Sequence, residues 1–330
     1  MSDISRRHLL AGTAAVAAIS AIPASAPVLA QTAAPDLSGK SVLITGCSSG
    51  FGRLGALHYA RAGAKVIATM RNLPRPEAES LAAEAAAEGL DLHIVEIDVL
   101  SDDMVAAGVA EAERIAGGAI DVLVNSAGIG ITGPIELQDM EATQLMFDTN
   151  VFGYQRMARA VLPGMRAADS GQIFAISSQL GRVIAPGAGQ YSPTKFAVEA
   201  MFEQLAYELV PHNIEVTIIQ PGGYPTQIWV SRNRYTAALR DRTPDERKAG
   251  YPALVERMGT EDGSGRSADP ADVPRAIAEI IAMPAGSRPL RRAVHPTRIP
   301  QEPINRVSAE TQVAWLGQSG FGPWINAVHS

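Results

Sequence analysis

The sequence predicts a single α/β domain of Rossmann type, doubly wound around a mostly parallel sheet of six or seven strands. Three observations carry this. From Lys40 to about Gln220, short β-branched runs alternate with helical segments of one to two dozen residues. The runs are apolar throughout, as strands covered on both faces are. No repeat or linker interrupts the stretch, and right-handed crossovers wind such a pattern onto both faces of one sheet.

In chain order, Ser41–Thr45 (SVLIT) reads as a first strand, followed by glycines and a helix to about Ala62. Lys65–Met70 (KVIATM) is a second strand, with an Ala/Glu helix over about Glu77–Glu88. His93–Ile97 is a third, with a helix over about Asp102–Ala116, and Ile120–Asn125 is a fourth. A longer helical region spans about Met140–Leu162 before a fifth strand at Gln172–Ser177. A helix over about Tyr191–Val210 leads to a sixth strand, Glu215–Gln220. Then the beat weakens. Residues Ile228–Ser267 are polar and broken by glycine and proline, as expected of a mobile insertion that grips substrate. A helix over about Pro270–Ala282 follows, and a divergent Pro/Arg-rich tail runs from about residue 293 to 330.

Composition excludes several functions. The 330 residues are 46% hydrophobic and 19% charged, with a net charge of −6 and no Lys/Arg run, so no nucleic acid partner is expected. The single cysteine, Cys47, allows no internal disulfide, and no HExxH spacing or Cys cluster suggests a metal. Residues 1–30 carry a twin arginine in SRRHLL, a mild Ala-rich apolar run and a VLAQ junction, which resembles a Tat export signal cleaved after Ala30. The run is too short and too Ala-rich for a stable membrane span. Such a signal implies a periplasmic or secreted protein that folds before it crosses.

In doubly wound sheets, ligands bind beyond the carboxyl ends of the strands. After strand one the chain reads TGCSSGFG, Thr45–Gly52, where Gly46, Gly50 and Gly52 permit a tight turn and close backbone approach to a pyrophosphate. Thr45, Ser48, Ser49 and Phe51 share that turn. Strand two ends in TMRN, with Met70 where a ribose-binding acid would sit and Arg71 beside it. A guanidinium fork suits a 2′-phosphate, so NADP(H) is favoured over NAD(H). Asp98 and Val99 are placed for the adenine edge. Asn125, Ala127 and Gly128 in NSAG are placed to lie against a flat ring.

These segments resemble the short-chain dehydrogenase/reductase family, in its subgroup with a TGxxxGxG turn. The resemblance is dense over about Lys40–Gly223 and thin to about Arg292, and it includes TNVFG, SS before Gly181, YSPTK and PGGYPT in order. It implies a catalytic set of Asn150, Ser178, Tyr191 and Lys195. It places Pro221, Gly222 and Thr226 at the carboxamide end of the nicotinamide, and implies a homodimer or homotetramer. Ser178 is chosen over Ser177 by its offset of thirteen residues from Tyr191.

The chemistry expected is interconversion of an alcohol and a carbonyl, with Tyr191 as general acid/base. A free phenol has a pKa of about 10, and an ammonium one helical turn away, Lys195, would lower it together with the positive nicotinamide; Tyr191 and Lys195 also face the cofactor, with Lys195 hydrogen-bonding the nicotinamide ribose. Ser178 would donate to the substrate oxygen, and Asn150 would hold a water leading from Lys195 to solvent. Two other readings stay open: a dinucleotide-binding sensor or scaffold without turnover, and a dehydratase or isomerase using the same phenolate. The segments expected around the substrate are apolar or mixed, which suits a hydrophobic alcohol or ketone.

Overall fold

The computed structural model describes residues 34–330, so the expected export signal lies outside the described residues. In chain order the main elements are β1 (Ser41–Ile44), α1 (Gly50–Arg61), β2 (Lys65–Met70), α2 (Pro76–Ala87), β3 (Leu92–Glu96), α3 (Asp102–Ala116) and β4 (Val122–Asn125). They continue with α4 (Met140–Phe147), α5 (Gly153–Ala167), β5 (Gly171–Ile176), α6 (Tyr191–Leu209), β6 (Ile214–Pro221), α7 (Ile228–Arg242), α8 (Asp245–Lys248) and α9 (Pro252–Val255). Last come α10 (Asp272–Ala282), β7 (Arg291–Val294), α11 (Glu302–Leu316) and α12 (Gly322–His329). All seven strands are parallel, in the order β3-β2-β1-β4-β5-β6-β7. The order reverses between β1 and β4, which opens a crevice at their carboxyl ends.

The apolar runs are continuous because each strand is buried on both sides, with alternate residues feeding two cores. Val42, Ile44, Val66, Val122 and Val124 pack against Leu57, Ile277 and Ile281 from α1 and α10. Leu43, Ile67 and Leu123 point the other way, against Val105, Met157, Val161 and Phe202 from α3, α5 and α6. Burying each such side chain contributes about 1.5–3 kcal/mol, and together these contacts hold the carboxyl rim of the sheet rigid.

Three regions take on detail that the sequence does not show. The segment 228–267, expected as a polar insertion, is built largely of helices. It forms α7 to α9; Leu239 of α7 and Met258, just past α9, join Ile131, Leu137, Ala142 and Met146 in a third core. Thr236 accepts a hydrogen bond from Thr132 N at 3.0 Å. The polar sequence misleads because α7 buries only Thr236 and Leu239, too few residues to show a helical apolar stripe. The region read as one helix over about Met140–Leu162 instead contains a π-helical turn at Asp148–Phe152, between α4 and α5. The tail supplies the seventh strand, β7, whose Arg291 is buried by pairing with Glu199 at 2.8 Å and with Glu203 at 2.5 Å. It continues into α11 and α12, and α12 packs on α6 through a 2.7 Å hydrogen bond between Tyr207 and His329. Among the described residues no helix is long and apolar enough to cross a membrane.

Candidate active site

A cleft of about 700 Å³ runs along the carboxyl rim, within the size range of ligand sites. One end is the glycine turn. Gly46 has φ +77°, and a Cβ there would lie 2.8 Å from Ala127 Cα; a Cβ on Gly52 would collide with the Gly46 carbonyl. Glycine is therefore required at both places for the turn to pass between β1 and β4. Ser49 precedes α1 without a side-chain cap, so the first-turn N–H groups face the cleft uncapped. Gly50, Ser48, Ser49 and Phe51 line the wall here, and Thr226 lies 3.7 Å from where a Gly50 Cβ would sit. Backbone N–H groups at a helix N-terminus fit the pyrophosphate of a dinucleotide.

Past the end of β2, Arg71 is exposed and lies 3.9 Å from Asp98. Arg75 donates to the Arg71 carbonyl at 3.3 Å and is held by Glu77 at 2.9 Å. Both arginines, with Asp98 and Val99, line the same end of the cleft. Arg75 went unnoticed in the sequence; its spacing of four from Arg71 is the signal that could have found it.

At the other end, Ser178, Tyr191 and Lys195 converge. Ser178 follows β5 and accepts a hydrogen bond from Leu180 N at 3.1 Å, which fixes its hydroxyl at the head of a short turn. Tyr191 is the first residue of α6, and Lys195 lies one turn on. The Lys195 ammonium donates to the Ile176 carbonyl at 2.8 Å and sits 5.7 Å from the centre of the Tyr191 ring and 5.5 Å from that of Tyr154. Burial lowers the Lys195 pKa to about 8, against the opposing pull of Glu199.

The phenol departs from expectation. Burial raises its pKa above the usual tyrosine range, while Ser178 and then Arg232 pull it down. Burial, and not the Lys195 charge, is the dominant influence on it.

Other predicted residues shape the cleft from behind its wall. Thr45 is fully buried and accepts from Ser126 N and Ala127 N, each at 3.0 Å, tying β1 to β4. Asn125 is likewise buried. The Asn150 side chain, projecting from the π-helical turn, binds Ile129 N and O, each at 2.9 Å, and Thr194 Oγ1 at 3.2 Å. Its carboxamide is thus occupied in holding the loop after β4. Ala127, Gly128, Pro221 and Gly222 reach the wall. Sequence reasoning missed Arg232, which faces Tyr191 from α7. The i, i+3 spacing of Trp229 and Arg232 was its only signal.

Comparison with known proteins shows the family and the fold. A family model described as short chain dehydrogenase matches residues 40–236. Retinol dehydrogenase 8 of Bos taurus is 36% identical over 263 residues, covering 77% of this chain and 80% of that protein. Among solved structures, a gluconate 5-dehydrogenase from Burkholderia cenocepacia in complex with NADP and tartrate is similar at TM-score 0.63 and 26% identity, over 78% of this chain and 94% of that one. A 3-ketoacyl-(acyl-carrier-protein) reductase from Brucella melitensis complexed with NADH gives TM-score 0.64 at 27% identity, over 80% and 100% of the two chains.

Proposed function

This chain belongs to the short-chain dehydrogenase family, and within it we propose an NADP(H)-dependent oxidoreductase that interconverts an alcohol and a carbonyl, with Tyr191 as general acid/base. The supporting observation is convergence: the Ser178 hydroxyl, the Tyr191 phenol and the buried Lys195 ammonium stand at one end of a cleft whose other end is a glycine-lined helix N-terminus.

When bound, the nicotinamide supplies the hydride in reduction and accepts it in oxidation. The protein's residues do the rest. The Ser178 hydroxyl orients and polarises the substrate oxygen. Tyr191 gives that oxygen a proton in reduction and takes it back in oxidation. Lys195, held by Ile176, supplies positive charge behind the phenol. The uncapped first turn of α1 and the glycine backbone hold the pyrophosphate, and Arg71 with Arg75 offers two guanidinium groups to a 2′-phosphate, favouring NADP(H). Consumption of NADPH with a panel of carbonyl compounds, and its loss in Tyr191→Phe, tests the assignment. Nucleotide binding without turnover would instead favour the sensor reading, and turnover without NADPH loss the dehydratase or isomerase.

Export through the Tat route is part of the proposal. A nicotinamide cofactor is not supplied outside the cytoplasm, so the protein would carry its own across. Protein purified from the periplasm should arrive with nucleotide bound; protein that arrives empty and binds weakly would sink this part. A homodimer or homotetramer through the helices near Asn150 and Tyr191 fits the exposed Phe152 and Phe196, and light scattering on the purified protein would decide it.

A further inference from the structure

The wall opposite Tyr191 is charged in a way that a purely apolar substrate does not explain. Arg232 and Arg266 both lie over the Trp229 ring, at 4.0 and 3.7 Å from its centre. Both pair with a single carboxylate, Glu261, to which Arg232 donates at 2.7 Å. Two guanidiniums thus share one countercharge. Arg234 and Arg257 line the same mouth, so the substrate end carries an excess of positive charge in a protein whose net charge is −6.

Arg232 is also close to the reacting centre. A Cβ placed on Gly130 would lie 3.2 Å from Arg232 Cγ and Cδ and 3.7 Å from Tyr191 Cδ2. The two side chains therefore meet over one glycine. Glu261 is the only acceptor of the Arg232 guanidinium among the described residues, and its Nε is buried without a partner. A buried donor left unpaired is costly unless a ligand or water completes it. Around this charge the mouth is apolar, with Leu254, Met258 and Tyr235.

We propose that Arg232 is a specificity-determining residue, and that the substrate carries an anionic group, a carboxylate or phosphate ester, within a few atoms of its reacting carbon and an apolar body beyond it. This rests on the oxidoreductase reading above. In reduction of an oxo acid, the carbonyl carbon gains a hydride from NADPH and its oxygen gains the Tyr191 proton, leaving a hydroxy acid and NADP⁺. The carboxylate stays on the Arg232 fork throughout, which fixes which face of the carbonyl is presented.

The test uses matched probes: phenylglyoxylate, its neutral methyl ester and phenyl phosphate. Binding is read from Trp229 fluorescence, with Trp229→Phe as the blank, and turnover from NADPH loss. Wild type should prefer phenylglyoxylate or phenyl phosphate to the ester by about tenfold to hundredfold, the scale of a charge-assisted hydrogen bond. Whichever anion binds tighter identifies the source of the charge. Arg232→Met should erase the preference, Arg232→Lys should keep part of it, and Glu261→Gln should strengthen anion binding by freeing the fork. Equal losses in Arg232→Met and Glu261→Gln would make the arginine a structural pin and overturn the proposal, as would a wild-type preference for the ester. Reduction of neutral ketones alone would sink the anion site while sparing the oxidoreductase reading. Anion binding with no affinity for NADPH would do the reverse.

Discussion

Along the glycine turn the wall of the cleft is backbone, whereas along the lobe from Ile228 to Arg266 it is side chain. The turn uses three glycines, and the chain can pass there only because no Cβ stands between β1 and Ala127. What it offers a ligand is N–H groups whose positions follow from the fold. The lobe instead has a small core of its own, around Leu239 and Met258, and presents arginines held by one shared glutamate. A backbone site suits a ligand that every family member binds, since its chemistry does not depend on which side chains surround it. A side-chain site can be rebuilt one residue at a time, which suits a substrate that differs between members.

The largest expected effect lies where the two walls meet. Tyr191→Phe removes the proton donor and leaves the ring, so kcat should fall by about 10²–10⁴-fold. Nucleotide affinity should hardly change, because the phenol oxygen is not part of the turn. A titration with NADPH beside steady-state turnover checks both. Equal losses in binding and turnover would mean that the ring's placement, and not its proton, is what the site uses.

Next is Gly46→Ala. The methyl group would need a left-handed φ of +77° and would stand 2.8 Å from Ala127 Cα. Strain of this kind costs about 1–3 kcal/mol, and relieving it moves the turn away from the pyrophosphate. A lower melting temperature together with lost nucleotide binding is expected. Arg232→Met in the lobe should leave nucleotide binding intact, and that contrast is what would break if the two walls were not separable.

The same contrast explains what could be read from the chain. Backbone sites write themselves into sequence as residue types that nothing can replace, so Gly46, Gly50 and Gly52 are legible at once, as are the apolar strands that carry them. The Tyr191–Lys195 pair is legible because a helix converts a spacing of four into a shared face. The helices of the lobe are hidden in the sequence because α7 buries so few apolar residues. Arg291 concealed β7 because a charge inside a strand reads as surface until its partners, Glu199 and Glu203, are known to lie 92 and 88 residues away. The bonds of the Asn150 carboxamide to Ile129 could not be read at all, since they cross twenty-one residues of chain that only coordinates bring together.

Cofactor choice should respond more modestly. Arg71→Ala removes one of two guanidiniums near the expected 2′-phosphate, so NADPH binding should weaken by about tenfold to hundredfold while NADH binding stays level. Arg71 is exposed and Arg75 remains, so the lower figure is the better expectation. Equal weakening for both nucleotides would reassign Arg71 to the adenine side.

The smallest effect is on stability against pH, and it belongs to the floor of the cleft. Lys195 has a folded pKa of about 8, below the ordinary lysine value of 10.5. Below pH 8 both folded and unfolded chains hold the proton, and the cost of burying the charge is fully present. Above it the folded chain releases the proton first, so the unfolded state binds more protons and stability rises with pH. Cys47 acts with the opposite sign: burial pushes its thiol up from 9.0 to about 12, so its contribution is lost as pH climbs past 9. That leaves a window between about pH 8 and 9 in which Lys195 dominates, worth about 1 kcal/mol. Denaturant melts at pH 8 and pH 9 should therefore show wild type gaining stability and Lys195→Met not gaining it. A Lys195→Met protein that kept the full rise would place the titrating group elsewhere, and the buried ammonium behind Tyr191 would lose its main physical signature.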